Sequence, residues 1–255
     1  MDKILEINDL SIQFGGVKAV SNVTLDVEKG SITSIIGPNG AGKTTVFNMI
    51  SGIYKPTGGT VVFDGQDITG KAQHEISMLG LARTFQNIRL YDRLNITENV
   101  QTVLDARSEY NIFDALLHLP KVRRIDRENV KKSEECLKLV GLYEYRKEKP
   151  LNLPYGMQRK LELARALATD PKLLLLDEPA AGLNSAEVDE FISLLQKIRE
   201  QFGMTMLLIE HRLQVVYSLS KKVYVLSFGD LIAQGTPAEI QTNKAVIDAY
   251  MGEDD

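Results

Sequence analysis

Residues 37–44 read GPNGAGKT, which matches the pattern G-x-x-x-x-G-K-[S/T]. The preceding residues 31–36 (SITSII) are short and β-branched, and they predict a buried strand. A helix is predicted directly afterwards, over residues 43–51. In this setting backbone N–H groups curl around an anion at a helix N-terminus. The stretch therefore predicts a phosphate-binding loop made of Gly37, Pro38, Asn39, Gly40, Ala41, Gly42, Lys43, Thr44 and Thr45.

Strands and helices alternate on both sides of this loop. Further strands are predicted within residues 4–36 and at 60–63, 172–177, 205–209 and 222–234, and further helices at 157–168, 185–200 and 212–219. This alternation predicts an α/β fold with a mostly parallel sheet. Residues 87–142 are more charged and helical in pattern, which indicates an inserted helical subdomain. We therefore expect one domain over residues 1–255, with the subdomain at roughly 87–168.

Composition narrows the class of protein. The 255 residues are 44% apolar and 25% charged, which is ordinary for a globular chain. The net charge of −4 disfavours general nucleic-acid binding. Apolar runs such as residues 173–176 fall far short of the roughly 20 residues that span a bilayer. The single cysteine, Cys136, excludes an internal disulfide, and its helical setting predicts a buried thiol.

Two adjacent carboxylates end an apolar strand. Residues 173–176 are all leucine, and Asp177 and Glu178 follow them. Beside a phosphate loop, an aspartate in this place helps to hold Mg²⁺. The next carboxylate can then polarise an attacking water. The alternative is a polar strand end with a helix cap, which the phosphate loop makes the weaker interpretation.

A histidine and a glutamine follow two other strands. His211 comes after the strand at 205–209, at the edge where ligands bind in parallel sheets, and it can donate to a γ-phosphate. Gln86 can offer its oxygen to Mg²⁺ and its amide to water. A lone histidine is more often structural, and His74 and His118 have no comparable setting.

Together these motifs resemble, in the right order over nearly the whole chain, the ATP-binding subunits of ABC transporters. The resemblance implies a phosphate-loop core, an N-terminal antiparallel β subdomain and a helical subdomain. It also implies Mg-ATP as the ligand, with Thr44, Gln86 and Asp177 around Mg²⁺ and Glu178, Gln86 and His211 in catalysis. Phe14 would stack on adenine; its alternative role is core packing. Residues 181–184 (AGLN) match the family's D-loop.

The family's signature motif, L-S-G-G-Q, is altered in this chain. The matching residues are Leu153, Pro154, Tyr155, Gly156 and Met157. In the family this turn contacts the γ-phosphate of ATP bound to the opposite subunit. Pro154 removes the serine hydroxyl and one backbone N–H, whereas Gly156 still permits close backbone approach. Slower turnover is expected, but not its loss.

One branch of the family fits best, the branched-chain amino acid importers, and within it the LivG class of ATPase subunit. The stretches that carry this resemblance are residues 80–87 (GLARTFQN), the Tyr-Gly signature, residues 178–184 (EPAAGLN), the insert at 111–125 and the ending at 247–253 (IDAYMGE). Urea importers and lipopolysaccharide-export ATPases share parts of this pattern. Soluble ABC ATPases of DNA repair or translation, and a regulatory subunit with little turnover, are further alternatives.

The resemblance also implies partners and a location. They are a second ATPase subunit, the same or a different chain, a membrane permease and, indirectly, a solute-binding protein. Residues 88–91 (IRLY) would form the groove for a permease helix; their alternative role is a self-packed loop. The chain would lie peripherally on the cytoplasmic face of the membrane.

Overall fold

The computed structural model describes residues 2–108 and 120–251. These form two compact units. The core unit holds the described residues up to Gln86 and from Lys172 onward, and the inserted unit is Asn87–Pro171. His118 and parts of the predicted stretches at 111–125 and 247–253 lie outside the described residues.

Among the described residues, the strands belong to the core unit. They are β1 (Lys3–Phe14), β2 (Val17–Glu28), β3 (Ile32–Ile36), β4 (Gly58–Phe63), β5 (Gln66–Asp67), β6 (Leu81–Arg83), β7 (Leu173–Asp177), β8 (Thr205–Ile209), β9 (Lys222–Ser227) and β10 (Asp230–Gly235). The order β2-β1-β4-β5 makes an antiparallel sheet near the N-terminus. The order β10-β9-β3-β8-β7-β6 makes a second sheet, in which β10–β9 alone is antiparallel. The predicted α/β fold is confirmed.

The helices are distributed over both units. Those of the core unit are α1 (Lys43–Ile50), α2 (Gln73–Met78), α6 (Ser185–Phe202), α7 (Leu213–Leu219), α8 (Pro237–Gln241) and α9 (Lys244–Met251). Those of the inserted unit are α3 (Ile96–Asp105), α4 (Pro120–Leu139) and α5 (Tyr155–Ala168), with short 3₁₀ turns at Tyr143–Tyr145 and Pro150–Asn152. Within the described ranges, none of these helices combines the length and the apolar character that crossing a bilayer requires.

The parallel sheet is central because its strands are apolar on both faces. Every residue of β3, β7 and β8 is buried, as expected for strands covered by helices on both sides. The register aligns Asp177 of β7 with Ile209 of β8. The segments that follow these two strands therefore leave the same edge of the sheet side by side, and this edge carries the candidate site.

Helix α5 begins two residues earlier than the expected start at residue 157. Pro154 takes the N-cap position with φ −53° and ψ 152°, and its carbonyl accepts from the N–H groups of Met157 at 3.0 Å and Gln158 at 3.1 Å. Proline is tolerated at a helix start because its missing N–H would have no intrahelical partner there. Tyr155, Gly156 and Met157 therefore lie in the first turn of the helix, while Leu153 precedes its N-cap.

Candidate functional site

The predicted phosphate loop links β3 to α1 and needs its glycines. Gly37 has φ +149°, and a Cβ there would lie 2.0 Å from the Leu226 carbonyl oxygen. Gly42 has φ +95°, and a Cβ there would lie 2.7 Å from the Ala19 carbonyl oxygen. A side chain at either place would collide with backbone, so the loop's tight curl depends on glycine.

Lys43 folds back over this loop. Its Nζ donates to the carbonyl oxygens of Gly37 at 2.6 Å and Pro38 at 2.8 Å, and the residue is only 5% exposed. A buried ammonium is costly unless it is hydrogen-bonded, and these carbonyls satisfy that need. The positive charge is thus held over the loop where an anion would sit.

A cavity of about 200 Å³ opens beside the loop. It is lined by Ala19, Asn39, Gly40, Ala41, Gly42, Lys43, Thr44, Thr45, Glu178 and His211. The structure therefore brings most of the predicted phosphate loop together with two of the three predicted catalytic residues. Gly37 and Pro38 are absent from the lining but bind Lys43. Ala19, on β2, has no motif that could have pointed to it.

Glu178 stands at the centre of a hydrogen-bonded trio. Its Oε1 lies 2.9 Å from His211 Nε2, and its Oε2 accepts from Gln86 Nε2 at 2.8 Å. The Glu178 backbone is in the left-handed region at φ +47°, which is unfavourable for a residue with a side chain. The carboxylate therefore reaches both predicted partners from a strained backbone.

Asp177 has a partner that the sequence analysis did not assign. Its Oδ2 accepts from Arg83 Nη2 at 2.7 Å, with both side chains about 5% exposed or less. Arg83 Nη1 donates at 2.8 Å to Asn48 Oδ1 and Ser51 Oγ at the end of α1. The guanidinium also lies 5.6 Å and 5.2 Å from the ring centroids of Phe47 and Phe85. The only signal in the sequence was an arginine ending a strand next to the carboxylate strand.

Phe14 lies at the tip of the β1–β2 hairpin and is 44% exposed, so it is not a core residue. Its ring meets that of Tyr54 edge to face, with centroids 5.2 Å apart. Such pairs are stabilising beyond their buried area. Tyr54 thus fixes the Phe14 ring, and nothing in the motifs had singled it out.

The signature turn lies in the inserted unit. Leu153 and Gly156 are buried, whereas Tyr155 is 42% exposed. The Tyr155 hydroxyl accepts from Arg159 Nη2 at 2.8 Å, and Arg159 pairs with Glu162 at 3.2 Å. No side chain caps the helix start. The N–H groups of Tyr155 and Gly156 come before any carbonyl one helical turn earlier, whereas that of Met157 already donates to Pro154.

The segment predicted to meet a permease, residues 88–91, is held within the inserted unit. Buried Asn99 accepts from the Tyr91 N–H at 2.8 Å and donates to the carbonyl oxygens of Tyr91 and Asn95, both at 3.0 Å. Arg165 donates to the Arg89 carbonyl and lies 5.2 Å from the Tyr91 ring centroid. The segment thus has a fixed backbone, while Tyr91 stays 53% exposed.

The family model described as "ABC transporter" matches residues 20–181, a range that contains the phosphate loop, Gln86, Asp177 and Glu178. The chain belongs to the ABC transporter family. A second model, described as "Branched-chain amino acid ATP-binding cassette transporter", matches residues 231–255. The resemblance read from the motifs is therefore confirmed.

Individual proteins agree with this family over nearly their full lengths. The chain is 44% identical over 250 residues to the high-affinity branched-chain amino acid transport ATP-binding protein BraF of Pseudomonas aeruginosa, covering 98% of each. It is 42% identical over 250 residues to LivG of Escherichia coli K12, again covering 98% of each. Among solved structures, the ADP conformation of MJ1267, an ATP-binding cassette of an ABC transporter, superposes with a TM-score of 0.87 at 31% identity, covering 99% of this chain and 100% of that one. Cassettes of this family bind nucleotide.

Proposed function

We propose that the chain is the ATP-hydrolysing subunit of an ABC importer that takes up branched-chain amino acids. The ATPase assignment rests on Glu178 and His211, which line the phosphate-loop cavity, and on Gln86, which donates to Glu178. The cargo assignment is supported by the C-terminal match over residues 231–255 and by the names of the relatives. That match also favours amino acids over urea or lipopolysaccharide.

ATP would lie with its phosphates along Gly37–Thr45 and its adenine against Phe14. The Lys43 ammonium would turn from the Gly37 and Pro38 carbonyls to the β- and γ-phosphates. Charge-assisted hydrogen bonds to phosphate are stronger than those to neutral carbonyls, so this exchange favours nucleotide binding. The exposed, braced ring of Phe14 supplies an apolar face for the base.

Magnesium fits the oxygen donors at this edge. The Thr44 hydroxyl, the Asp177 carboxylate and the Gln86 amide oxygen are hard ligands of the kind that Mg²⁺ prefers. Over the described ranges no cluster of three or more His, Cys, Asp or Glu side chains could hold a metal by itself. Nucleotide phosphates would therefore complete the coordination, and the ion would neutralise charge that develops on them.

Glu178 would polarise the attacking water. It would accept a proton from the water that attacks the γ-phosphorus, while the bond to the β-phosphate oxygen breaks and ADP and phosphate are formed. His211 and Gln86 would hold this carboxylate and contact the γ-phosphate and the water. Before ATP binds, the hydrogen bonds of His211 and Gln86 to the Glu178 carboxylate keep this side chain oriented.

A second cassette would supply the missing half of the site. The uncapped start of α5, at Leu153–Met157, would meet the γ-phosphate held by another ATPase subunit. This interaction suits a helix N-terminus, where N–H groups and the helix dipole both favour an anion. Residues 88–91 would meet a helix of the permease, which would hold the subunit at the cytoplasmic face of the membrane.

The cargo is tested in the cells that make this protein. Glu178→Gln introduced in place of the natural residue should abolish uptake of radiolabelled leucine, isoleucine and valine and leave lysine uptake unchanged. A matched variant, Glu187→Gln, changes a half-buried carboxylate that accepts from the Asn184 N–H at 2.9 Å at the start of α6, and should transport normally. Unchanged leucine, isoleucine and valine uptake with Glu178→Gln would refute the cargo assignment.

A further inference from the structure

Glu210 is a buried carboxylate with no place in the mechanism described so far. It lies between β8 and His211 and is only 2% exposed. Isolated buried carboxylates are strongly unfavourable, so such a group is expected to have dedicated hydrogen-bond donors. Its donors come from two different segments of the chain.

The two oxygens of Glu210 divide between these segments. Oε1 accepts from the Ala180 N–H at 2.9 Å, two residues after Glu178. Oε2 accepts from the N–H groups of His211 at 3.0 Å and Arg212 at 3.1 Å. One carboxylate thus joins the backbone that follows Glu178 to the backbone that carries His211.

The electrostatics of Glu210 show what holds it in place. Burial raises the pKa of its carboxyl, and the nearby charge of Glu178 acts in the same direction. The backbone donors of Ala180, Arg212 and His211 oppose this rise. Three backbone N–H groups from two segments thus converge on one buried carboxyl group, and these contacts connect the segments.

A second connection joins the same two segments farther along. Arg212 Nη2 donates to the Leu183 carbonyl oxygen at 2.8 Å, within the loop that leads to α6. At the sheet edge, the Glu178 N–H also donates to the Ile209 carbonyl at 2.9 Å. The segments at 178–183 and 209–212 are therefore tied at their start, middle and end.

We propose that Glu210 is a positioning residue for ATP hydrolysis, whose carboxylate locks the loop after Glu178 to the His211 backbone and so presets the contact between these two side chains. The proposal rests on the proposed function, because it concerns the same pair. A displacement of the loop at 180–183 is then transmitted to His211 directly.

Two substitutions of Glu210 distinguish its contact with both segments from the effect of its charge. Glu210→Gln keeps the length but has one acceptor oxygen, so an amide N–H₂ must face either the Ala180 N–H or those of His211 and Arg212. Glu210→Asp keeps the charge but is one methylene shorter and cannot reach both segments. Both variants should lose the lock. Glu239→Gln is the matched control, because Glu239 accepts from the Thr236 N–H at 2.7 Å in an exposed helix cap.

The first readout is the NMR spectrum of the histidine rings without nucleotide. The chain has only three histidines, so the ring signals are few. In Glu210→Gln and Glu210→Asp the His211 ring signals should move, while those of exposed His74 on α2 should stay in place. General unfolding would move both. Unchanged His211 signals in both variants would overturn the proposal.

The second readout compares kcat for ATP hydrolysis with the Kd of ATP. Loss of a hydrogen bond to a charged group predicts a fall in kcat of about 10–100-fold, with the Kd of ATP within twofold of the wild type. An unchanged kcat would also overturn the proposal. If wild-type protein does not hydrolyse ATP, the proposed function fails, while the NMR arm still tests the lock.

A second variant covers the case in which both Glu210 substitutions prevent folding. Arg212→Met leaves the Glu210 carboxylate intact and removes only the exposed guanidinium tie to Leu183. It should move the His211 ring signals and lower kcat less than Glu210→Gln would. Wild-type signals and turnover in Arg212→Met would contradict the transmission of a displacement from the loop at 180–183 to His211 through these contacts.

Discussion

Helices α1 and α5 both begin without a side-chain cap, yet their surroundings differ. At α1, Gly42 is the N-cap, and Lys43 beside it is a buried cation. At α5, Pro154 is the N-cap, and Tyr155 and Arg159 bind each other behind it. Helix α6, by contrast, is capped by its own Asn184. Both predicted phosphate contacts thus have a helix start without a side-chain cap, but the cation at α1 lies over the loop, whereas Arg159 at α5 is paired with Glu162.

The largest expected effect at the phosphate-loop cavity beside α1 is that of Glu178→Gln. Removing the carboxylate that polarises water should lower kcat by about 10²–10⁴-fold, since this is the range that positioned acid–base groups contribute. The Kd of ATP should stay within twofold, because Glu178 does not bind phosphate. Phosphate release and equilibrium nucleotide binding measure the two quantities. Hydrolysis at the wild-type rate would remove Glu178 from the mechanism.

Lys43→Met tests whether the charge over the phosphate loop makes this helix start the stronger anion site. Loss of a charge-assisted hydrogen bond should weaken ATP binding by about 10–100-fold. Lys3→Met serves as the control, because Lys3 is exposed, pairs with Glu6 at 3.5 Å and lies outside the phosphate loop. Equal affinities of Lys43→Met and wild type for ATP would mean that the loop backbone binds phosphate without the lysine.

Pro154→Ser tests the start of α5, where the N-cap residue has no side-chain donor for a phosphate. The added hydroxyl can donate to a γ-phosphate, and kcat should rise by up to about tenfold. Stability should change by less than about 1 kcal/mol, because a serine N-cap gains roughly what the loss of proline rigidity removes. Turnover and thermal unfolding are measured on the same preparation. A wild-type kcat would show that the proline does not limit the reaction.

The alkylation rate of Cys136 tests whether the inserted unit, which carries the start of α5, contains a reactive thiol. Burial raises the pKa of its thiol to about 11. At pH 8 the thiolate fraction should therefore be about two orders of magnitude below that of an ordinary cysteine with a pKa near 8.5. Alkylation in native buffer should be correspondingly slower than in urea. Cys136 is half-buried rather than fully buried as the sequence predicted, and equal rates in the two conditions would mean that this partial burial does not protect the thiol.

Local sequence was enough to predict the fold class and the phosphate loop. The eight residues 37–44 define a strand–loop–helix unit, and the four leucines before Asp177 define a central strand, because both patterns are short and contiguous. The same reasoning placed Glu178 and His211 at one sheet edge, and the cavity contains both.

Long-range polar pairing could not be predicted in this way. Arg83 and Asp177 are 94 residues apart, and Ala180 and Glu210 are 30 apart. Neither pair has a spacing pattern, because its geometry arises only when separate strands meet in the sheet. The start of α5 was placed two residues late because apolar periodicity does not register a proline N-cap.

The most direct test of the central claim, that the α5 start serves a nucleotide on another cassette, uses Gly156→Asp. Gly156 is buried in the first turn, and a carboxylate there would repel a γ-phosphate. Circular dichroism first verifies that the variant is folded. The account predicts an unchanged Kd for ATP on the isolated chain, because its own phosphate loop is intact, and loss of hydrolysis. Equal losses of binding and hydrolysis would place the turn in the chain's own site, and unchanged hydrolysis would remove it from the reaction.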